Sequence, residues 1–238
     1  MLSLFFVPVI TSASHIIVDG DEAHHAMKVL RIDIGDELML ADGQGSWARG
    51  EVAALDKKSF AVDVLERGVV QENAQELIVI QALMKSDRAK EAIELLTVAG
   101  ADRIIPWQSE RSIAKWQSDL GEKWFTTAKT AAKQSRRLKL PEIEGPITTR
   151  EIAARFGSAA NLLVLHESAV DRLSELGSQI TPGPIVLVVG PEGGLSENEI
   201  QALSQAGGRV VLLGNQVFRS AHAGFAGLAA IQTLISRW

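Results

Sequence analysis

From residue 77 onward the chain alternates compact apolar runs with helical spacings, and this alternation constrains the fold more than any other feature. Residues 77–83 form a short buried-strand run. Residues 87–99 carry Ala89, Ala92, Ile93, Leu96 and Val98 at helical spacing, and Gly100 supplies the stop. Residues 103–106, 162–165, 185–189 and 210–213 read as further strands. Residues 118–136, 196–206 and 221–236 read as helices. Strands alternating with helices predict an α/β domain with a mainly parallel sheet, here spanning 75–238.

The first 70 residues follow a different rule. Strand-like runs at 37–41 and 46–54 flank Asp42-Gly43-Gln44-Gly45, a turn composition. In 59–65, Phe60, Val62 and Val64 alternate with Ala61, Asp63 and Leu65, the pattern of a half-buried strand. A helical piece covers 22–29. Together these predict a small β-barrel over 1–70. The polar stretch 66–76, with Gly68, Gln71, Glu72, Asn73 and Gln75, reads as a linker.

Composition excludes some classes. There is no cysteine, so no disulfide or cysteine-held metal is available. The pair His24-His25 is too short to hold a metal alone, and no metal is expected. The apolar start lacks a basic leader and contains Pro8, which predicts a buried opening strand rather than a secretory signal. No run approaches the ~20 apolar residues of a membrane span, and the expected location is the cytoplasm. The net charge of −5 argues weakly against nucleic acid, but clustering decides that question. Lys129, Lys133, Arg136, Arg137 and Lys139 lie in one acid-free stretch. The first four are expected on one helical face, as a phosphate-contacting patch extended by Lys28 and Arg31.

In α/β sheets, ligands bind beyond the carboxyl ends of strands. Three such ends carry unusual residues. One is Gly190-Pro191-Glu192-Gly193-Gly194-Leu195-Ser196, where Ser196 and Glu199 form a capping-box pattern for the next helix. It matches neither the dinucleotide fingerprint nor the phosphate-binding P-loop. The second is Leu213-Gly214-Asn215-Gln216-Val217-Phe218-Arg219, followed by a helix rich in alanine and glycine. Its small residues allow close packing on another helix, including one across a dimer interface. The third is Leu165-His166-Glu167. Each of these fits an ordinary turn when read alone.

Their order and spacing, together with other segments, carry a specific resemblance. The N-terminal part has His24-His25, Lys28-Val29-Leu30-Arg31, Gly35-Asp36 and Asp42-Gly43. The middle has Lys85-Ser86-Asp87-Arg88, Pro106 before Ser109-Glu110-Arg111-Ser112, and Lys133-Gln134-Ser135-Arg136-Arg137 with Pro141. With the three strand ends, nearly the whole chain resembles the RsmE-type 16S ribosomal RNA uracil-N3 methyltransferases of the SPOUT superfamily. The resemblance implies a PUA-like β-barrel followed by an α/β domain with a deep trefoil knot, an exception to un-knotted topology. It also implies a homodimer that binds S-adenosylmethionine and acts on 16S rRNA, naked or in the assembled small subunit.

Carried over by motif, the cofactor residues are Leu165, His166, Glu167, Gly190, Pro191, Glu192, Gly193, Gly194, Leu213, Gly214, Asn215, Val217, Phe218 and Arg219. The RNA-contacting residues are Lys28, Arg31, Arg88, Arg111, Lys133, Gln134, Arg136 and Arg137. Arg219 is the expected catalytic residue, stabilising charge on the uracil oxygens or orienting the target nucleotide. Glu167, Glu192 and His222 remain alternatives for the proton acceptor. Two departures stand out. Family members commonly have Arg-Thr-Glu-Thr-Ala where this chain has Arg219-Ser220-Ala221-His222-Ala223, and Glu-Leu-Gly where it has Val98-Ala99-Gly100. The first departure keeps an alternative open, a catalytically altered SPOUT protein serving as an RNA-binding or ribosome-assembly module. Ribose methylation of the SpoU type is disfavoured, because neither Asn-x-Gly-x-x-x-Arg nor Ser-Leu-Asn-Val-Ser occurs. A Rossmann-type enzyme would need a glycine-rich turn after 77–83, and none is there.

Overall fold

Strand pairing sorts the chain into two sheets, one in each of two compact units. The structure, a computed structural model, describes residues 2–157 and 161–238. One unit comprises the chain up to Glu72 together with Ala132–Leu140; the other comprises Asn73–Ala131 and Pro141–Trp238.

The first unit contains β1 (Ser3–Phe6), β2 (His15–Val18), α1 (Gly20–His24), β3 (Glu37–Ala41), β4 (Ser46–Leu55) and β5 (Phe60–Val69). The sheet order is β1-β3-β4-β5-β2. The β3–β4 turn follows from Asp42, whose Oδ1 accepts the backbone N–H groups of Gln44, Gly45 and Ser46 at 2.8, 3.0 and 3.0 Å. Inward-facing Phe5, Leu38, Leu40, Val52, Phe60 and Val62 form the core.

Three expectations need correction here. Residues 66–69 are strand, not linker, because β5 pairs with β4 as far as Ser46↔Val69. The composition hid this. Gly68 lies where a Cβ would sit 2.4 Å from the Trp47 ring, so only glycine passes. The helix expected over 22–29 starts earlier and widens into a π-helical turn, His25–Leu30, stopped by Arg31 at φ 56°. The basic residues do not share one helical face. Their helix stops at Ser135, and Arg136 takes a left-handed φ of 57°.

The second unit contains β6 (Leu77–Ala82), α2 (Ser86–Val98), β7 (Arg103–Trp107), α3 (Leu120–Ser135, its last turn counted with the first unit), β8 (Glu142–Ile143), α4 (Thr149–Phe156), β9 (Asn161–Leu165), β10 (Ile185–Val189), α5 (Glu197–Gln205), β11 (Arg209–Val211) and α6 (Ser220–Leu234). Every strand pair is parallel, in the order β11-β9-β10-β6-β7-β8. Alternate residues of each central strand face opposite cores. Leu77, Val79, Leu163, Leu165, Leu187 and Val189 pack with α2, α3 and α6. Ile78, Ile80, Leu162, Val164, Val186 and Val188 pack with α4 and α5. Burial on both faces explains why these strands are continuous apolar runs.

The last strand is shorter than expected, Arg209–Val211, and Leu212 makes only an isolated bridge to Arg172. The small residues of α6 serve close packing within this unit. A Cβ on Gly224 would lie 2.8 Å from Leu96, and one on Gly227 would lie 2.8 Å from Leu187. Among the described residues, no helix is long and apolar enough to cross a membrane.

Candidate functional site

Because β11, β9 and β10 are neighbours and run parallel, their carboxyl ends deliver three loops to one place. There the loops enclose a cavity of ≈ 320 Å³. Leu165, His166 and Glu167 come from the end of β9. Gly190, Pro191, Glu192, Gly194 and Leu195 follow β10. Leu213, Gly214, Val217, Phe218 and Arg219 follow β11. Val189, Leu212, Gln216, Ser220 and Ala223 complete the wall.

The first helical turn of α6 is fastened to the middle loop by a buried polar chain. The Ser220 hydroxyl donates to the Gly190 carbonyl at 2.5 Å and accepts from Gln81 Nε2 at 3.2 Å. Gln81 is 1% exposed in a strand otherwise built of apolar side chains. This linkage sets Arg219, the N-cap residue of α6, at the cavity wall. Among the described residues, no hydrogen bond or ion pair engages its guanidinium. Unpaired positive charge and the positive end of a helix therefore meet at one edge of the cavity.

Two carboxylates, Glu167 and Glu192, line the same cavity, and both residues are exposed. His166 Nδ1 accepts the Ser168 backbone N–H at 3.1 Å. An N–H can only donate, so a neutral His166 carries its proton on Nε2 and is a donor.

Most residues expected at the cofactor lie on this cavity, and two do not line it. The Asn215 side chain accepts from Arg172 at 2.9 Å, and the Gly193 carbonyl accepts from Arg111 Nη1 at 3.1 Å. His222 is likewise outside the lining. Its Nε2 is 2.8 Å from Glu91 Oε1, while Arg88 holds the other Glu91 oxygen at 2.8 Å. These partners keep the Glu91 carboxyl below the usual carboxylate range, the His222 hydrogen bond first and Arg88 second. Ala221, where the sequence resemblance implies an acid, is 2% exposed within the apolar core of this chain.

The residues expected to contact RNA divide between the units. Lys28, Arg31, Gln134 and Arg136 are exposed in the first unit, and Arg137 is half-buried there. Lys133 belongs to the first unit too, but its ammonium is 2.7 Å from Glu22 and sits over the Phe5 ring. Arg88 and Arg111 belong to the second unit. The sequence signalled the strand ends through their glycines. Gln81 was signalled only as a polar residue inside an apolar run, and the roles of Ser220 and Glu91 had no local signature.

Comparison with known proteins fits this geometry. Residues 71–232 match the RNA methyltransferase domain family, and residues 18–65 match the RNA methyltransferase PUA domain family. A Mycobacterium bovis ribosomal RNA small subunit methyltransferase E is 38% identical over 244 residues, covering 99% of this chain and 93% of its own. The chain belongs to the ribosomal RNA small subunit methyltransferase E family. A Synechocystis member of that family is 32% identical, over 90% of this chain and 71% of its own. The crystal structure of the Neisseria gonorrhoeae member, bound to S-adenosyl methionine, superposes with a TM-score of 0.89 at 26% identity, covering 98% of both chains. The two sheets are accordingly an N-terminal PUA-like β domain and a SPOUT-like α/β methyltransferase domain.

Proposed function

We propose that this protein methylates N3 of a uridine in 16S ribosomal RNA, using S-adenosylmethionine bound in the cavity beyond β9, β10 and β11. The observation that carries the reading is the convergence of three strand-end loops on one cavity in a chain of this family. The residues present suit the cofactor. The volume is that of a small-molecule site. Leu165, Val189, Leu195, Leu213 and Phe218 offer apolar walls to a nucleoside. Glu167 and Glu192 offer negative charge to a sulfonium and an ammonium, and Arg219 stands in the same lining as a cation. In this reading the three loops are the knotted segment, and the protein works as a homodimer.

S-adenosylmethionine supplies a methyl carbon already activated by its sulfonium, which leaves the chain to position the reactants and manage charge. Uracil N3 is a weak nucleophile until it loses its proton. Arg219 and the N-terminus of α6 stabilise negative charge developing on the uracil oxygens. Nε2–H of His166 is a further donor at the same cavity. Glu167 and Glu192, both on the cavity wall, are the two carboxylates from which a proton acceptor would be drawn. Lys28, Arg31, Gln134, Arg136 and Arg137 contact RNA phosphates from the first unit.

The test is transfer of labelled methyl from S-adenosylmethionine to 16S rRNA, naked or in small subunits, by the purified protein. The expected product after digestion is 3-methyluridine. Label in a ribose-methylated nucleoside, or none in RNA, contradicts the proposal.

A further inference from the structure

One buried carboxylate closes a ring of hydrogen bonds around the turn after β10. Glu199 is 1% exposed. Its Oε2 accepts the Ser196 N–H at 3.0 Å, which completes the cap of α5. Capping requires nothing of the other oxygen, yet Oε1 accepts the Glu110 N–H at 2.9 Å and the Thr149 hydroxyl at 3.3 Å. That hydroxyl in turn accepts the Trp107 indole N–H at 3.2 Å. The residue after Glu110 is Arg111, which donates to the Gly193 carbonyl. The ring thus runs from Glu199 through Glu110 and Arg111 to Gly193, then along the chain to Ser196 and back. A buried carboxylate is costly unless its lone pairs are met, and here both oxygens are engaged. The fit is close at the turn. A Cβ on Gly193 would lie 3.4 Å from Arg111 Cβ, and Gly194 has φ +70°.

We propose that Glu199 is a positioning residue for the cofactor turn. It fixes the Glu110 amide, Arg111 then holds the Gly193 carbonyl, and the turn presents Glu192 and Gly194 to the cavity. Arg111 therefore serves the cofactor site, where the sequence resemblance implies an RNA contact. The inference rests on reading the cavity as the S-adenosylmethionine site.

Arg111→Ala, Glu199→Gln and the double variant test it. The readouts are calorimetric affinity for S-adenosylmethionine, affinity for 16S rRNA, and hydrogen exchange of the peptide covering 190–196 in protein without cofactor. Each single change should weaken cofactor binding about tenfold and speed exchange in that peptide, with RNA affinity unchanged. The double variant should lose little more than either single, because both break one ring. Normal cofactor affinity in Arg111→Ala, a loss confined to RNA affinity, or fully additive losses would overturn the proposal. If Glu199→Gln fails to fold, Arg111→Ala decides alone, since Arg111 is at the surface. A wild-type protein that does not bind S-adenosylmethionine would sink the cofactor reading, while the exchange data would still report on the ring.

Discussion

His222 Nε2 lies 2.8 Å from the Glu91 carboxylate, so the first turn of α6 is tied to α2. This contact engages a candidate proton acceptor in a hydrogen bond to Glu91, whose other carboxylate oxygen pairs with Arg88. His222→Asn should therefore keep most of the methyl-transfer rate, rather than show the ~10²-fold or larger loss expected of a missing general base. A loss of that size in single-turnover assays would return His222 to the chemistry.

The same contact has a pH signature. The folded pKa of Glu91 is lowered, so its contribution to stability is present above the ordinary glutamate range and disappears as pH falls through the lowered value. Glu91→Gln should melt about 2 °C or less below wild type at neutral pH, because the pair is exposed. That gap should close in acid. A gap that widens as pH falls would show that the sign is wrong.

Arg219 carries the charge stabilisation in the proposed reaction. Arg219→Ala should lower the single-turnover rate about 10²–10³-fold, the usual loss for a preorganised charge partner. Calorimetry should show that S-adenosylmethionine still binds, since the apolar walls and the glycine turn are untouched. A wild-type rate would remove Arg219 from the mechanism.

Ser220→Ala should destabilise the protein by about 1–3 kcal/mol, because it leaves the Gly190 carbonyl and the Gln81 amide short of partners. For a chain of this size that lowers the melting temperature by roughly 3–9 °C. Adding Gln81→Met should recover part of the loss, as both polar partners are then gone. A double variant less stable than the single would contradict the hydrogen-bond account.

Gly193→Arg should abolish detectable S-adenosylmethionine binding while the protein stays folded. The new side chain would start 3.4 Å from Arg111 Cβ and bring a second guanidinium against the first. Binding at wild-type strength would show that the turn after β10 is not part of the cofactor site.

The elements most legible in sequence were those whose burial leaves a local pattern. β6, β9 and β10 are buried on both faces, and their apolar runs located them within a residue or so. β2 was missed because its short His15–Val18 run is half exposed and its partner, β5, is remote in sequence. α4 was also missed, although Thr148 and Glu151 form a capping box that sequence could have revealed. The glycines at 190, 193, 194 and 214 pointed to the cavity, while the bonds that hold it are tertiary. Nothing near Glu199 in sequence indicates that its second oxygen reaches Glu110, and nothing near Arg136 indicates a left-handed φ.

The most direct test is mass spectrometry of 16S rRNA from cells with and without the gene for this chain. The account predicts that one 3-methyluridine disappears on deletion, returns with the wild-type gene, and does not return with Arg219→Ala. Unchanged 3-methyluridine in the deletion strain would contradict it.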